Sequence, residues 1–422
     1  MIKLDEIKQS ILVSLWFMVL TFPIMVIRVN PIQKEIVWRW HNLLLVGIST
    51  FLLSFLWRHM IRRKELGRKK AEAGENGDTS LLQRIAENRR VYVPVVAGVL
   101  VIAIIFPFVF GLYQINIMIS ALMFVVLGLG LNIVIGLAGL LDLGYVAFYA
   151  VGAYCYALLN YHFGLSFWLA LPLGGLLAAI FGIILGFPVL RLRGDYLAIV
   201  TLGFGEIIRM ILENWNEFSF GPSGIANIPR PSFFGIDFTV HSATQFMYLL
   251  VLALTVFTVF MVNRLQNSRI GRAWIALRED EVACQAMGID KTRTKLTAFA
   301  LGATWAGMVG VIFAAKTTFV NPASFTIWES IFILCVVVLG GMGSIVGVIF
   351  GGLVLILLPE YLRAFSEYRM CVFGAVLVIM MVFRPGGLIQ MPRRTYKFKS
   401  ESPGDTSHQV ATEGGQADFA RS

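Results

Sequence analysis

Long apolar runs recur along this chain, and charged residues rarely interrupt them. Of the 422 residues, 57% are hydrophobic and 14% are charged, whereas a soluble protein carries about 25% charged residues. A helix that crosses a membrane needs roughly 20 mostly apolar residues, and these runs supply enough for about ten to twelve such helices. The sequence therefore predicts an all-α polytopic membrane protein, and it excludes a single soluble core or one membrane anchor.

The apolar runs differ in length and in glycine content. Several are shorter than the roughly 17 residues of a minimal span, and short or glycine-interrupted runs are typical of broken or re-entrant helices. We therefore expect some of the helices to be broken or re-entrant. The runs cover residues 11–27, 43–57, 91–112, 115–137, 146–159, 167–190, 196–212, 246–262, 296–315, 327–339, 345–358 and 370–383.

Changes in composition predict four regions. Residues 1–57 hold two apolar runs joined by a loop at 28–41, and form a predicted N-terminal two-helix membrane unit. Residues 58–90 carry ten lysines or arginines against five acids, which is typical of a solvated basic linker. Residues 91–395 form the main membrane core, and residues 396–422, with few apolar residues, are predicted to be a disordered tail.

Basic residues concentrate in four loops, which are 58–90, 191–195, 264–295 and 384–399. Cytoplasmic loops of membrane proteins carry an excess of lysine and arginine. This pattern places the four loops and both termini in the cytoplasm. It also explains the net charge of +10 better than nucleic-acid binding does.

The sequence contains no arrangement typical of a catalytic or metal centre. Its four cysteines and five histidines are dispersed without metal-ligand spacing, and no nucleophile, base and acid cluster together. The chain also lacks the GxxxxGK[ST] pattern of a phosphate-binding loop. We therefore expect no catalytic residue, no metal and no cofactor on this chain.

Asp142 is the first candidate residue for a transport path. Three glycines surround it, Gly136, Gly139 and Gly144, and Tyr145 follows directly. A charged group inside a membrane is costly unless it is paired or faces water, and an interrupted helix frees backbone groups that can line a cavity. Asp142 therefore either lines a path at a helix break or caps the next helix, and the sequence leaves both open.

Glu206 and Arg209 form a second candidate pair within the run 196–212. They lie three residues apart, which allows an ion pair on one helix face. Glu213 follows four residues after Arg209, which also fits that face. A polar lining for a path is the alternative. Lys316, Glu329 and Glu360 lie at span ends, where we expect their side chains to reach an interface.

Small residues four apart form three ridges that bring helix backbones close. Such ridges indicate tight packing, or helices that slide against each other during transport. The ridges are Gly174, Ala178, Gly182 and Gly186; Gly302, Ala306 and Gly310; and Gly343, Gly347 and Gly351.

The loop 264–295 contains the pattern of a short helix between basic flanks. Glu279, Asp280 and Glu281 stand where such a helix would begin, favourably placed against its positive end. Two small residues, Ala283 and Ala286, follow, and Gly288 can end the helix with a left-handed cap. The pattern predicts a helix that docks into another protein's groove, or an ordinary loop helix.

These segments together resemble a known family. EDEVACQAMGID at 279–290 resembles the coupling-helix motif of ABC importer permeases, and further motifs resemble the LivM type of branched-chain amino-acid permease subunit. The resemblance covers about residues 91–395. Its other motifs are GLAGLLDLGYVAFYAVGAY at 136–154, LRGDYLAIVTLGFGEIIR at 192–209, GPSGI at 221–225, FVNPASFTIWESIFILCVVVLGGMGSIVG at 319–347 and FRPGGL at 383–388.

The resemblance implies an importer of leucine, isoleucine or valine in the bacterial inner membrane. It implies a second homologous permease subunit, two cytoplasmic ATPase subunits that hold ATP and Mg, and a periplasmic amino-acid-binding protein. The implied ATPase-coupling residues are Glu279, Asp280, Glu281, Ala283, Ala286 and Gly288, and the implied path lies near residues 136–154. Cys284 and Gln285 depart from the family's Glu-Ala-Ala pattern, so contacts of individual residues carry over less securely than the loop does.

Three other function classes compete with an ABC permease. An ion-coupled secondary amino-acid transporter would use Asp142 or Glu206 as its coupling site and would need no ATPase. An intramembrane enzyme would need a catalytic cluster, and a structural subunit would associate with a transporter without being required for uptake. The short helix in the loop 264–295 favours the ABC permease.

Overall fold

Helices dominate the computed structural model, which describes residues 89–189, 194–231, 239–362 and 386–389. Elsewhere it describes residues 27–30 and 35–38 and single positions at 18, 47, 48, 192 and between 374 and 380. The chain divides into two compact units, Met1–Val109 and Phe110–Ser422. The predicted spans 11–27 and 43–57, most of the basic linker and of the run 370–383, and the tail 396–422 lie outside the described residues, so the predicted region boundaries at 57, 90 and 395 stay predictions.

The described part of the first unit contains a hairpin and a helix. Strand β1, Ile27–Asn30, pairs antiparallel with β2, Glu35–Trp38. The connection at 28–41, which we expected to be a loop, therefore holds two strands, and their β-branched residues favour extended backbone. Helix α1, Arg89–Val109, follows and contains Pro94 and Pro107.

The second unit is built from helices and one two-stranded ladder. Strand β3, Ile225–Ala226, pairs antiparallel with β4, Phe319–Val320. The helices in chain order are α2 (Leu112–Asn132), α3 (Val146–Phe163), α4 (Phe167–Val189), α5 (Asp195–Asn214), α6 (Asn216–Ser219), α7 (Val240–Gln266), α8 (Arg269–Glu279), α9 (Glu281–Ala286), α10 (Lys291–Thr317), α11 (Ile327–Gly340) and α12 (Ile345–Tyr361).

Within the described residues, five helical segments are long and apolar enough to cross a membrane. They are Leu112–Leu137, Phe167–Pro188, His241–Gln266, Lys291–Thr317 and Pro322–Gly340, and two shorter apolar helices are Ala97–Val109 and Ile345–Tyr361. The predicted runs from 115–137 to 345–358 lie on helices, except that residue 190 is outside the described residues, and the run 91–112 is helical except at 110–111. The chain is thus a multi-pass, all-α membrane protein, as the sequence predicts, while a total of ten to twelve spans stays a prediction.

Helix α10 lies at the centre of the second unit and packs along α4 and α3. The three backbones meet at glycines. A Cβ on Gly152 of α3 would lie 2.0 Å from the carbonyl oxygen of Gly307 on α10, and a Cβ on Gly307 would lie 2.4 Å from the carbonyl oxygen of Gly174 on α4. No side chain fits in these spaces, so the ridge that begins at Gly174 is a close-packing surface.

The other two ridges also make close backbone contacts. A Cβ on Gly310 would lie 2.2 Å from the carbonyl oxygen of Tyr149, and a Cβ on Gly347 would lie 2.2 Å from that of Gly340. The tight-packing interpretation of the ridges is therefore confirmed, and sliding between these helices stays a prediction.

Replacing Gly152 by alanine tests this packing. Because the new methyl group meets backbone atoms, α3 and α10 must separate, and overpacking of this kind costs about 1–3 kcal/mol. We expect Gly152→Ala to lower the thermal unfolding midpoint of the purified protein in detergent.

The matched control is Gly203→Ala on α5, where an added Cβ has no neighbour within 4 Å. This change should leave the midpoint unchanged or raise it, because alanine favours helix over glycine by about 1 kcal/mol. Equal midpoints for the two variants would contradict the packing argument.

Candidate functional site

Helix α2 does not continue into α3. After Asn132 the backbone widens into a π-helical turn, Ile133–Leu137, and residues 138–145 are not helical. We call residues 138–145 the break. Gly139 adopts φ +72° there, a left-handed conformation that favours glycine. The predicted interruption around Asp142 is therefore present, and Asp142 and Tyr145 are both fully buried in it.

The backbone N–H groups around the break are satisfied by side chains. The N–H of Gly144 donates to Asp142 Oδ1 at 2.9 Å, which closes a turn before α3; the N-cap of α3 itself is Tyr145, whose side chain makes no capping bond. The N–H of Leu143 donates to the hydroxyl of Thr201 on α5 at 3.0 Å. The N–H of Val146 donates to the hydroxyl of Ser330 on α11 at 2.9 Å. Helices distant in sequence thus complete the break.

Two buried side chains at the break have a polar atom without a hydrogen-bond partner. Among the described residues four such atoms are found, and Asp142 Oδ2 and Asn132 Nδ2 are the two that lie in the break or directly before the π-helical turn. The nearby Thr201 hydroxyl donates its proton to the carbonyl oxygen of Ala198 at 3.1 Å. Asn132 Oδ1 accepts from the N–H of Gly343 at 2.8 Å. One oxygen of Asp142 therefore stabilises the turn before α3 without capping the helix, and a role of the other oxygen in a path stays a prediction.

Gly144 and Tyr145 hold the end of the break against two helices. A Cβ on Gly144 would lie 1.9 Å from the carbonyl oxygen of Thr201, so only glycine allows this approach to α5. The hydroxyl of Tyr145 donates to the carbonyl oxygen of Gly302 on α10 at 2.9 Å. These two predicted path residues therefore have clear packing roles.

Glu206 and Arg209 form an ion-pair group on α5. Arg209 Nε lies 2.8 Å from Glu206 Oε2, and Arg209 Nη1 lies 2.7 Å from Glu213 Oε2. The three side chains are between 24% and 42% exposed, and their polar contacts in the described part of the chain are to one another. The predicted pairing on one helix face is thus present, while a role in a path stays a prediction.

The loop 264–295 folds into two helices, where we expected one. Ser268 caps α8 by accepting from the N–H of Gly271. Asp280 Oδ1 caps α9 by accepting from the N–H groups of Val282 at 2.7 Å and Ala283 at 3.0 Å. Glu279 therefore ends α8 and does not begin the short helix, because Asp280 supplies the cap.

One side of α9 faces inward and the other is exposed. Cys284 is buried, whereas Val282 is 67% and Met287 is 83% exposed. Ala283 and Ala286 are exposed as well, and Gly288 follows with the predicted left-handed φ of +83°. Exposed apolar side chains grouped on one helix favour contact with another protein.

Arg278 connects this loop to the break. Its Nη1 donates to the carbonyl oxygen of Gly136 at 2.5 Å, at the end of the π-helical turn. Arg278 also packs against Gly139, where an added Cβ would lie 2.6 Å from Arg278 Cγ. The guanidinium thus satisfies a carbonyl at the C-terminal end of a helix, where a positive charge is also favoured by the helix dipole.

Lys295 and Trp274 fasten the loop helices to α10. Lys295 Nζ lies 2.6 Å from Glu281 Oε1, and its side chain is 1% exposed. Trp274 on α8 donates from Nε1 to the carbonyl oxygen of Thr294 at 2.9 Å. Glu281, a predicted coupling residue, therefore also neutralises a buried lysine.

Sequence reasoning missed five residues of this arrangement. Asn132 had a usable signal, since it is a polar residue in a long apolar run. Arg278 and Lys295 could not be told apart from the other basic residues of the loop, and a lone hydroxyl in an apolar helix gives no signal of its partner. The five are Asn132, Thr201, Arg278, Lys295 and Ser330.

Glu281→Gln should destabilise the protein because it leaves the buried ammonium of Lys295 without a counter-charge. Breaking a buried pair costs about 3–5 kcal/mol, and we expect the lower end because Glu281 is 20% exposed. Adding Lys295→Met should restore most of the loss. The measurement is the free energy of unfolding in detergent for both variants.

Glu279→Gln provides the control, since Glu279 is exposed and surface changes usually stay within about 0.5 kcal/mol. A small, equal effect of Glu279→Gln and Glu281→Gln would show that the buried pair does not contribute to stability.

Comparison with known proteins agrees with this architecture. The family model described as branched-chain amino acid transport system / permease component matches residues 113–381. The permease protein LivM of the high-affinity branched-chain amino acid transport system is 49% identical over 323 residues in Salmonella typhimurium, and 48% identical over 324 residues in Escherichia coli. Each alignment covers 72% of this chain and 76% of the relative.

A second kind of relative is more distant. The permease protein LivH of the same named system in Salmonella typhimurium is 26% identical over 295 residues, which cover 64% of this chain and 92% of the relative. No solved structure matches this chain. From the family model and the relatives of nearly half identity, this chain belongs to the permease family of branched-chain amino-acid transport systems.

Proposed function

We propose that this chain is the permease subunit of an ATP-driven importer that carries leucine, isoleucine or valine across the bacterial inner membrane. The relatives named for branched-chain amino-acid transport support this substrate class. Because relatives named LivM and LivH both match this chain, the proposal includes a second homologous permease subunit. The chain itself performs no catalysis.

The proposal assigns ATP and Mg to two cytoplasmic ATPase subunits, and substrate delivery to a periplasmic amino-acid-binding protein. The loop 264–295 and both termini then lie in the cytoplasm, as the basic loops predict. The branched-chain substrate is a zwitterion with an aliphatic side chain. High affinity resides in the binding protein, so the permease path needs to be only modestly polar.

One observation carries the proposal: an exposed loop helix connects to the helix break through a charged side chain. Met287 and Val282 give α9 an exposed apolar face, which an ATPase groove would cover. Arg278, on the adjoining α8, donates to the Gly136 carbonyl beside the break. Through this contact, a displacement of α8 and α9 on ATP binding would be transmitted to the break inside the membrane. Packed elements there would then shift between discrete arrangements.

Uptake of radiolabelled leucine in cells with and without this chain tests the proposal. ATP is depleted by an agent that spares the membrane potential, and in a separate arm the potential is collapsed by an uncoupler. We expect deletion of the chain and depletion of ATP each to abolish the high-affinity uptake, because ATP drives the transport step.

The opposite pattern would contradict an ABC permease. Uptake that needs this chain, survives ATP depletion and collapses with the uncoupler would indicate an ion-coupled secondary transporter. The unpartnered buried oxygen of Asp142 would then be its first candidate coupling group.

Ala283→Glu tests the docking surface. Ala283 is exposed and lies in the first turn of α9, where a negative charge suits the helix, so folding should be unaffected. An unpaired carboxylate buried in the ATPase groove costs more than about 1.4 kcal/mol. We therefore expect at least about a tenfold drop in ATPase subunits that co-purify with the permease, and loss of uptake.

Ala226→Glu is the matched control. Ala226 is also exposed, but it lies in β3, whose partner strand β4 follows the far end of α10. This variant should keep its ATPase subunits. Normal co-purification and uptake for Ala283→Glu would remove α9 from the docking surface.

A further inference from the structure

A cavity with two cationic side chains lies at the end of the second unit opposite the loop 264–295. Helix α10 begins beside that loop at Lys291, and Lys316 lies 25 residues further, about 37 Å away at 1.5 Å per residue. Lys316 and Arg230 line the cavity together with Asn116 of α2 and Met247 of α7. The space between these side chains, including the part open to solvent, is about 230 Å³.

Among the described residues, the ammonium of Lys316 has hydrogen-bond partners but no acidic partner. Its Nζ donates to the hydroxyl of Ser120, and to the carbonyl oxygen of Asn116 at 3.4 Å. Both acceptors are uncharged. An ammonium group has three donors, so one N–H remains for a further ligand.

Arg230 is held beside Lys316 by its backbone. The carbonyl oxygen of the preceding Pro229 accepts from the hydroxyl of Tyr156 at 2.8 Å. The N–H of Ile228 donates to the carbonyl oxygen of Thr318 at 3.1 Å, two residues beyond Lys316. Arg230 is exposed, and within the described residues its side chain, which carries five N–H donors, makes no ion pair or hydrogen bond.

Two unneutralised positive charges in one small cavity repel each other, and an anion between them would relieve this repulsion. None of the residues that line the cavity is acidic. Glu360, which reaches the same end of the unit, hydrogen bonds to Tyr113. A planar guanidinium beside an ammonium matches the two oxygens of a carboxylate.

We propose that Lys316 and Arg230 form a binding subsite for the α-carboxylate of the transported amino acid. This inference rests on the proposed function, which places this end of the molecule on the periplasmic side. The cavity is small and opens to solvent, so it can receive the charged end of a small zwitterion while the rest of the ligand stays outside. Met247 and Ile119 supply apolar surface beside it.

Protection of Lys316 from amine acetylation tests the subsite directly. The complete transporter in nanodiscs, without binding protein, is treated with an acetylating reagent, and modified peptides are measured by mass spectrometry. Leucine and 4-methylpentanoate, which share a carboxylate, should slow acetylation of Lys316 at least about threefold at ligand concentrations near twice Kd, whereas leucinamide should not. Lys291, equally half-buried at the other end of α10, is the internal control.

The outcomes separate the possible sources of the anion. Protection by inorganic phosphate but not by leucine would overturn the proposal and indicate a phosphate or lipid-headgroup site. Equal protection of Lys291 would also overturn it, because the effect would not be local. Leucinamide that protects as well as leucine would show that the carboxylate is not recognised.

Arg230→Gln and Arg230→Lys add a test through transport. Loss of a charged hydrogen-bond partner is worth about a tenfold change or more, so Arg230→Gln should abolish leucine protection of Lys316 and slow uptake about tenfold with saturating binding protein. Arg230→Lys should restore much of both.

An effect of Arg230→Gln that vanishes when more binding protein is added would instead assign Arg230 to contact with that protein, against the proposal. The proposed function is judged separately, since it fails if the wild-type complex shows no ATP-dependent uptake, whatever the acetylation pattern is.

Discussion

The break between α2 and α3 is the constraint on which the rest of the second unit depends. An interrupted helix in apolar surroundings exposes backbone N–H and C=O groups that have no water to bind. Thr201, Ser330 and Arg278 supply hydrogen bonds to these groups from α5, α11 and α8. Those helices must therefore pack around the break, because without them its polar groups would be buried and unsatisfied at about 1–3 kcal/mol each.

The second unit contains two kinds of contact: backbone contacts at glycines, which hold a framework of helices, and side-chain hydrogen bonds, which can change by rotation of the side chain. Glycines bring α3, α4 and α10 into backbone contact, and where Gly152, Gly307 and Gly174 meet, no side chain lies between the backbones. The break contacts α5 directly at Gly144, and single hydrogen bonds from rotatable side chains such as Arg278 connect it to its other neighbours. Because the glycine-packed helices are rigid and the break is joined to α8 by one hydrogen bond, we expect a movement of the loop helices to displace the break more than the packed helices.

The sequence predicts the parts of this arrangement that depend on local pattern. Apolar length predicts the helices, clustered glycines predict the break at Asp142, and the Asp280 to Gly288 pattern predicts a capped short helix. The partners of the break were not predictable, since Thr201 lies 58 residues from Leu143 and Ser330 lies 184 residues from Val146. A hydroxyl becomes a cap only through the tertiary fold, and one sequence carries no record of that contact.

Lys295 and Lys316, near the two ends of α10, show how a lysine with a structural role differs from one that can bind a ligand. Lys295 has a carboxylate at 2.6 Å, so its charge is compensated within the chain and its role is to fasten α9 to α10. Lys316 has only neutral oxygens as partners among the described residues, and Arg230 adds a second charge beside it. Partly buried charge is costly unless it is paired, so Lys316, which has no acidic partner among the described residues, would gain from a bound anion.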